Sequence, residues 1–186
     1  MGRDKAWLKL GGKPIVEHLL VALRPITATV AIIANSGDYS GLGVPVFHDT
    51  NTGVGPLEAI RTALCNSPTQ DLILVGCDLP FLTSTLFECL LDRLAGHEAV
   101  VPIGPDGRLE PLCAAYTTAA LDVATRLINR GERRITSLFD QVNTRYVPFV
   151  EISRLPGADL FFLNVNTPDD YQRALTAFDE RPELIR

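Results

Sequence analysis

The chain has 186 residues, of which 46% are hydrophobic and 21% charged, with a formal net charge of −5. That is one domain's length with enough apolar material for a core, and the acidic balance gives no support to a nucleic-acid surface. The four cysteines, Cys65, Cys77, Cys89 and Cys113, form no CxxC pair and no zinc-finger spacing, and His18, His48 and His97 are scattered, so neither zinc nor redox chemistry is indicated. No apolar run approaches the ~20 residues of a membrane helix and no signal peptide is visible, so the expected setting is cytoplasmic with no membrane partner.

The three lysines, Lys5, Lys9 and Lys13, all fall in the first thirteen residues. Residues 9–14 read as a loop, with Pro14 suited to the first turn of a helix carrying Ile15, Leu19, Leu20 and Leu23. Residues 29–35 form an apolar run that predicts a buried strand ending at Asn35, and residues 44–49 predict a short edge strand ending at Asp49. The glycine-rich stretch Asn51-Thr52-Gly53-Val54-Gly55 precedes a helix with Pro56 in its first turn and Leu57, Ile60 and Leu64 inside. Such a loop can bring backbone N–H groups to an anion, and it equally fits an ordinary tight connection.

The central feature is the run over 72–77, small to apolar without interruption, which reads as a strand covered on both faces. It stops at Asp78, and Leu79-Pro80 prevents a central strand from continuing. A carboxylate in this position lies where open α/β sheets bind ligands; the same residue also fits a turn cap. A helix bearing Leu86, Leu90, Leu91 and Leu94 follows. Strands are predicted over 99–103 and 111–116, separated by a turn at 104–107. A helix with Leu121, Ala124, Leu127 and Ile128 and a shorter one over 135–140 come next, then strands over 146–150 and 160–164. Thr167-Pro168-Asp169-Asp170 is a strong helix start. Cys77 and Cys113 read as inert core thiols. The alternation predicts a three-layer, Rossmann-like α/β fold with a mostly parallel sheet. Residues 1–178 form one domain in this reading and 179–186 a frayed polar tail. Asn35, Asp49, Asp78 and Asn164, all at strand ends, could gather on one rim.

Taken in order, Met1-Gly2-Arg3-Asp4-Lys5-Ala6, Gly12-Lys13-Pro14, Gly55-Pro56-Leu57, Cys77-Asp78-Leu79-Pro80-Phe81, Gly131-Glu132-Arg133-Arg134 and Asn164-Val165-Asn166-Thr167-Pro168 resemble the motifs of the molybdenum cofactor guanylyltransferases, over residues 1 to about 172. The resemblance implies a glycosyltransferase-A-like nucleotidyltransferase that joins the GMP of GTP to molybdopterin and releases pyrophosphate. It implies that Lys5 and Asp49 bind GTP, that Asp78 holds Mg²⁺ and through it GTP, and that Asn164 and Asn166 lie in the molybdopterin half of the cleft. The resemblance further implies that Lys5 and Asp78 are the catalytic pair, and Arg133 and Arg134 read as either pterin-phosphate ligands or a solvated helix end. Other cofactor-assembly proteins and recipient molybdoenzymes are the implied macromolecular partners. In that family a strand and a Leu-Ala-Gly-Gly loop precede the Met-Gly matched here by Met1-Gly2; the expectation is that in-frame DNA upstream of Met1 encodes them.

The residue types suit this chemistry. Both reactants are anions, so a metal and a lysine must screen their repulsion, and no protein nucleophile is required. Mg²⁺ commonly takes one or two carboxylates together with substrate phosphates. Two alternatives stay open: transfer of CMP or another nucleotide on the same scaffold, and a non-catalytic remnant that binds nucleotide or serves as a partner.

Overall fold

The computed structural model describes residues 4–51 and 53–185. Met1-Gly2-Arg3 of the first motif and Thr52 of the glycine-rich stretch lie outside them. The chain divides into two compact units. One comprises Met1–Val30, Val75–Glu88 and Val150–Arg186; the other comprises Ala31–Leu74 and Cys89–Phe149.

The first unit opens with a 3₁₀ turn, Lys5–Trp7, capped by the Asp4 carboxylate, which accepts from Ala6 N at 3.1 Å. Residues 9–14 are a hairpin rather than a loop: β1 (Lys9–Leu10) pairs antiparallel with β2 (Lys13–Pro14). Gly11 and Gly12 make the connection at φ 56° and 81°, a left-handed pair that two-residue hairpins favour. Helix α1 (Ile15–Leu23) follows, with Pro14 one residue outside it. It buries Ile15, Val16, Leu19, Leu20 and Leu23, and also His18, whose Nε2 bonds the Leu10 carbonyl at 2.9 Å.

In the second unit β3 (Ile32–Ile33) runs parallel to β4 (Val46–Phe47) as a separate two-stranded sheet. Helix α2 (Pro56–Asn66) comes next. Strand β5 (Asp71–Val75) and helix α3 (Ser84–Leu91) each run across the division between units. Strands β6 (Ala99–Pro102) and β7 (Cys113–Thr117) form an antiparallel pair; helices α4 (Leu121–Asn129) and α5 (Thr136–Phe139) follow, then β8 (Thr144–Val147), parallel to β6. The four-stranded sheet has the order β5-β7-β6-β8. The fold is α/β as expected, but its sheet is mixed: the turn at 104–107 folds β7 back against β6.

The core of this unit gathers Leu57, Ile60 and Leu64 of α2, Ala99 and Val101 of β6, Tyr116 of β7 and Leu127 of α4. Tyr116 stacks on Phe139 with ring centroids 6.5 Å apart, and its hydroxyl donates to the Pro111 carbonyl at 2.7 Å, which satisfies a polar group in an apolar setting. Strands β6 and β7 are buried at every position, whereas Leu72, Ile73, Leu74 and Val75 of β5 and both residues of β3 are only half-buried. Among the described residues β3 and β5 lie in different sheets.

The remaining elements are α6 (Phe149–Ile152) and α7 (Pro168–Glu180). The strand expected over 160–164 is absent. Ala158–Leu160 is a 3₁₀ turn, and a further turn bond runs from Leu163 N to Leu160 O, so the apolar run buries Leu160 and Phe161 by coiling rather than by pairing. The strand expected over 146–150 begins earlier and gives way to α6. Helix α7 begins as expected, with a full capping box: Thr167 accepts from Asp170 N while the Asp170 carboxylate accepts from Thr167 N. It runs on to Glu180, and Pro182–Ile185 forms a 3₁₀ turn. Cys113 is buried, but Cys77 is exposed rather than core.

Candidate functional site

In the first unit, four of the five residues singled out by sequence come together. Val165 is fully buried, and its N–H donates to the Asp78 carbonyl at 2.8 Å. That single bond sets residues 164–166 beside the turn carrying Asp78, which is itself anchored by buried Leu79, Phe81 and Leu82. Asn166 Nδ2 donates to Asn164 Oδ1 at 3.0 Å, and the Lys5 ammonium donates to Asn166 Oδ1. Asp170 fixes the backbone here too, accepting from Asn166 N at 3.2 Å.

Charge gathers at the same place. Although Cys77 is exposed as a residue, the atoms packed around its thiol desolvate it and push its pKa up to about 11; the Asp78 and Asp4 carboxylates push the same way and Lys5 opposes them. The thiol is therefore protonated at neutral pH and is no nucleophile. Asp78 is half-buried, and among the described residues no donor hydrogen-bonds its carboxylate. An ionised carboxylate is an acceptor-only group, so Asp78 is a residue that could hold a hard cation. Among the described residues no group of three or more His, Cys, Asp or Glu forms a closed metal cage.

In the second unit, the fifth residue, Asp49, has its own support. Parallel pairing sets Ile33 opposite Phe47, and the same register two residues on sets Asn35 opposite Asp49. The two exchange hydrogen bonds: Asn35 Nδ2 donates to Asp49 Oδ2 at 2.8 Å, and Asp49 N donates to Asn35 Oδ1 at 2.9 Å. From α2, the Thr62 hydroxyl donates to Asp49 Oδ1 at 2.7 Å. The glycine-rich stretch leads into α2 with Gly53 at φ 78° and Gly55 at φ 93°, positions that exclude most side chains. Glu58, in the first turn of α2, is fully buried and accepts from Asn51 N at 3.0 Å.

The Gly131–Arg134 motif is organised by Glu132, whose carboxylate accepts from Arg134 N, the Ser137 hydroxyl and Arg133 N. Those bonds, the Arg134 amide first, lower its pKa to about 2. Arg133 and Arg134 themselves are exposed. Asn35, Glu58 and Thr62 were not assigned site roles from sequence. Asn35 was visible as a strand-end polar residue; Glu58 and Thr62 carried one signal, a polar i, i+4 pair flanking the stripe Leu57, Ile60 and Leu64.

Residues 1–145 match the family described as the MobA-like NTP transferase domain. The chain belongs to that family. MobA-like relatives include a probable molybdenum cofactor guanylyltransferase from Carboxydothermus hydrogenoformans, 33% identical over 96% of this chain and 90% of the relative. The molybdenum cofactor guanylyltransferase of Shewanella woodyi is 31% identical over 95% and 89% of the two chains. Among solved structures, molybdopterin-guanine dinucleotide biosynthesis protein A from Archaeoglobus fulgidus superposes with a TM-score of 0.82 at 26% identity, covering 96% of this chain and 92% of that one. The 2-C-methyl-D-erythritol 4-phosphate cytidylyltransferase of Thermus thermophilus shares the fold, with a TM-score of 0.71 at 18% identity over 94% of each chain. The MobA-like chain is thus a nucleotidyltransferase by family and by fold. Among its described residues no helix is long and apolar enough to cross a membrane.

Proposed function

We propose that this protein transfers GMP from GTP to molybdopterin, releasing pyrophosphate and forming the guanine dinucleotide form of the molybdenum cofactor. The observation that carries the reading is the contact of Lys5 and Asp78 with the Asn164–Asn166 segment, four polar residues from three distant parts of the chain in one cluster. It is supported by guanylyltransferase relatives matched over nearly their whole length.

In this reading a terminal phosphate oxygen of molybdopterin forms a bond to the α-phosphorus of GTP, and the bond from that phosphorus to the bridging β-phosphate oxygen breaks. The electron pair leaves on pyrophosphate. Lys5 places a point charge against the phosphates. Asp78 would hold Mg²⁺, which when bound neutralises phosphate charge as it moves toward the leaving group. Asn164 and Asn166 offer amide donors and acceptors to the pterin substrate. Asp49, an acceptor-only group, takes donors of the nucleoside. The protonated Cys77 takes no covalent part. The protein acts in the cytoplasm, with cofactor-assembly proteins and recipient molybdoenzymes as its partners.

The test is pyrophosphate release with molybdopterin, Mg²⁺ and each of GTP, CTP, ATP and UTP in turn, with the product identified by mass. GTP-dependent release that requires molybdopterin is expected. Equal release with CTP would overturn the guanine assignment, and absence of release with all four nucleotides, or release that does not need molybdopterin, would overturn the transfer.

A further inference from the structure

We propose that Glu58 and Thr62 are positioning residues of the nucleotide site: through them the buried face of α2 sets Asp49 and Asn51. The inference rests on the reading of Asp49 as a nucleotide contact.

Both residues are polar, yet Glu58 is 0% exposed and Thr62 only 2%. Burying a carboxylate is costly unless it is paired and its oxygens are satisfied. Glu58 meets both conditions. Arg61 approaches it through Nε at 3.0 Å and Nη2 at 2.6 Å, a two-pronged pairing, and Asn51 adds its backbone N–H at 3.0 Å and its side-chain Nδ2 at 3.2 Å. Burial acts to raise the Glu58 pKa, but the donors from Arg61 and Asn51 outweigh it and hold the group below its usual value. The carboxylate is therefore charged at neutral pH and tied to the first residue of the glycine-rich stretch.

The spacing extends the device. Residues four apart share one helix face, so Thr62 stands one turn beyond Glu58 on the same side of α2. Glu58 holds Asn51, and Thr62 holds Asp49, two residues earlier. The segment from Asp49 to Asn51 is thus fixed at both ends by one rigid face. An apolar pair at 58 and 62 would pack against the core without this consequence, so the polar choice is explained by what it holds.

The grip also leaves Asp49 usable. Thr62 occupies one lone pair of Oδ1, and Asn35 occupies one of Oδ2. An ionised carboxylate has about four acceptor positions, so one on each oxygen stays open to an incoming donor. The loop beyond it carries two positive-φ glycines, so without the tie at Asn51 its backbone would sample many arrangements before meeting a ligand. Preorganisation of this kind shows in ligand affinity more than in the rate of the bound complex.

The experiment compares Thr62→Val, Thr62→Ser, Glu58→Gln and Asp49→Asn with the parent. Steady-state pyrophosphate release gives KM for GTP and kcat separately, calorimetric GTP titration gives affinity without turnover, and melts report folding. Thr62→Val removes only the hydroxyl and keeps the shape, so the Thr62 pair decides the matter whether or not Glu58→Gln melts early. The expected result is GTP affinity weakened about tenfold in Thr62→Val, the equivalent of about 1.4 kcal/mol, with kcat within about twofold and affinity restored in Thr62→Ser. A purely structural Thr62 would lower the melting temperature without this split or this rescue. Unchanged GTP affinity in Thr62→Val alongside a weakened Asp49→Asn would overturn the positioning role and leave the reading of Asp49 standing. Unchanged affinity in Asp49→Asn itself would overturn that reading, and the positioning role with it.

Discussion

The two polar clusters are built on different terms. Around Asp49, two supporting residues are buried, Thr62 and Glu58 on the inner face of α2, and the strand register of β3 and β4 adds the exposed Asn35. Around Asp78, the backbone is pinned by buried Val165, but the side-chain bonds run from half-buried Lys5 to exposed Asn166 and on to Asn164. The difference teaches which contacts persist when a ligand arrives. Bonds anchored on a buried partner, as those of Thr62 and Glu58 are, exchange less with water and hold their geometry better; bonds among solvated groups are worth little and give way to a phosphate or a metal. The first cluster is preset for recognition, and the second is free to rearrange onto reacting groups.

The sharpest way to break that contrast is at Lys5. Lys5→Ala removes the cation bonded to Asn166, and turnover is expected to fall about a hundredfold, the equivalent of about 2.7 kcal/mol, with the melting temperature nearly unchanged. A fall in stability with intact turnover would show that Lys5 serves the fold.

A second variant separates the scaffold of that cluster from its chemistry. Gly11 sits at φ 56°, and a Cβ there would lie 2.2 Å from the Phe178 ring of α7, the helix whose start follows Asn166. Gly11→Ala should destabilise the protein by about 2 kcal/mol through left-handed strain and overpacking, read as a lower denaturation midpoint. An unchanged midpoint would mean that α7 is seated by its other contacts, such as the Tyr171 hydroxyl on the Lys9 carbonyl at 2.7 Å.

Asn166→Ala is gentler. It releases Lys5 from its amide partner, so GTP affinity should stay equal or improve while turnover with limiting molybdopterin falls about tenfold, roughly 1.4 kcal/mol. Loss of GTP affinity of the same size would place Asn166 on the nucleotide instead.

The smallest effect concerns pH. The Glu58 carboxyl is held below its ordinary value of 4.5. A depressed carboxyl contributes stability that is present above the unfolded value and lost as pH falls through the folded one. Melts from pH 7 down to pH 3 should therefore show the parent losing its advantage over Glu58→Gln below about pH 4.5. A constant gap across that range would mean that folding does not shift the Glu58 carboxyl, and a gap that widens in the parent's favour as pH falls would mean that Glu58 is not charged in the fold.

Much of this was legible in the sequence, for identifiable reasons. The start of α7 was readable because caps are local: Thr167, Pro168 and Asp170 act within four residues. The turn after β5 was readable because an acid and a proline interrupt an apolar run, although the strand itself stops at Val75 rather than at residue 77. The strand expected over 160–164 failed because a short apolar run has no period that separates a paired strand from a buried turn. The mixed sheet follows from a hairpin whose turn at 104–107 was visible, but whose neighbours in the sheet were not. The contact between Lys5 and Asn166 joins residues 161 apart, which no local pattern encodes. Glu58 escaped notice because a glutamate on a helix is ordinarily solvated, and its burial depends on Arg61 and on a loop that only the fold brings back to it.

The most direct test is a pair of GTP saturation curves, for Asp78→Asn and Asp49→Asn, with molybdopterin and Mg²⁺ in excess and pyrophosphate release as the signal. The account predicts that Asp78→Asn lowers kcat by about a thousandfold, about 4 kcal/mol, because charge stabilisation of the transition state is lost, whereas Asp49→Asn raises KM with kcat nearly preserved. Asp78→Asn turning over within about threefold of the parent, a difference well under 1 kcal/mol, would contradict it.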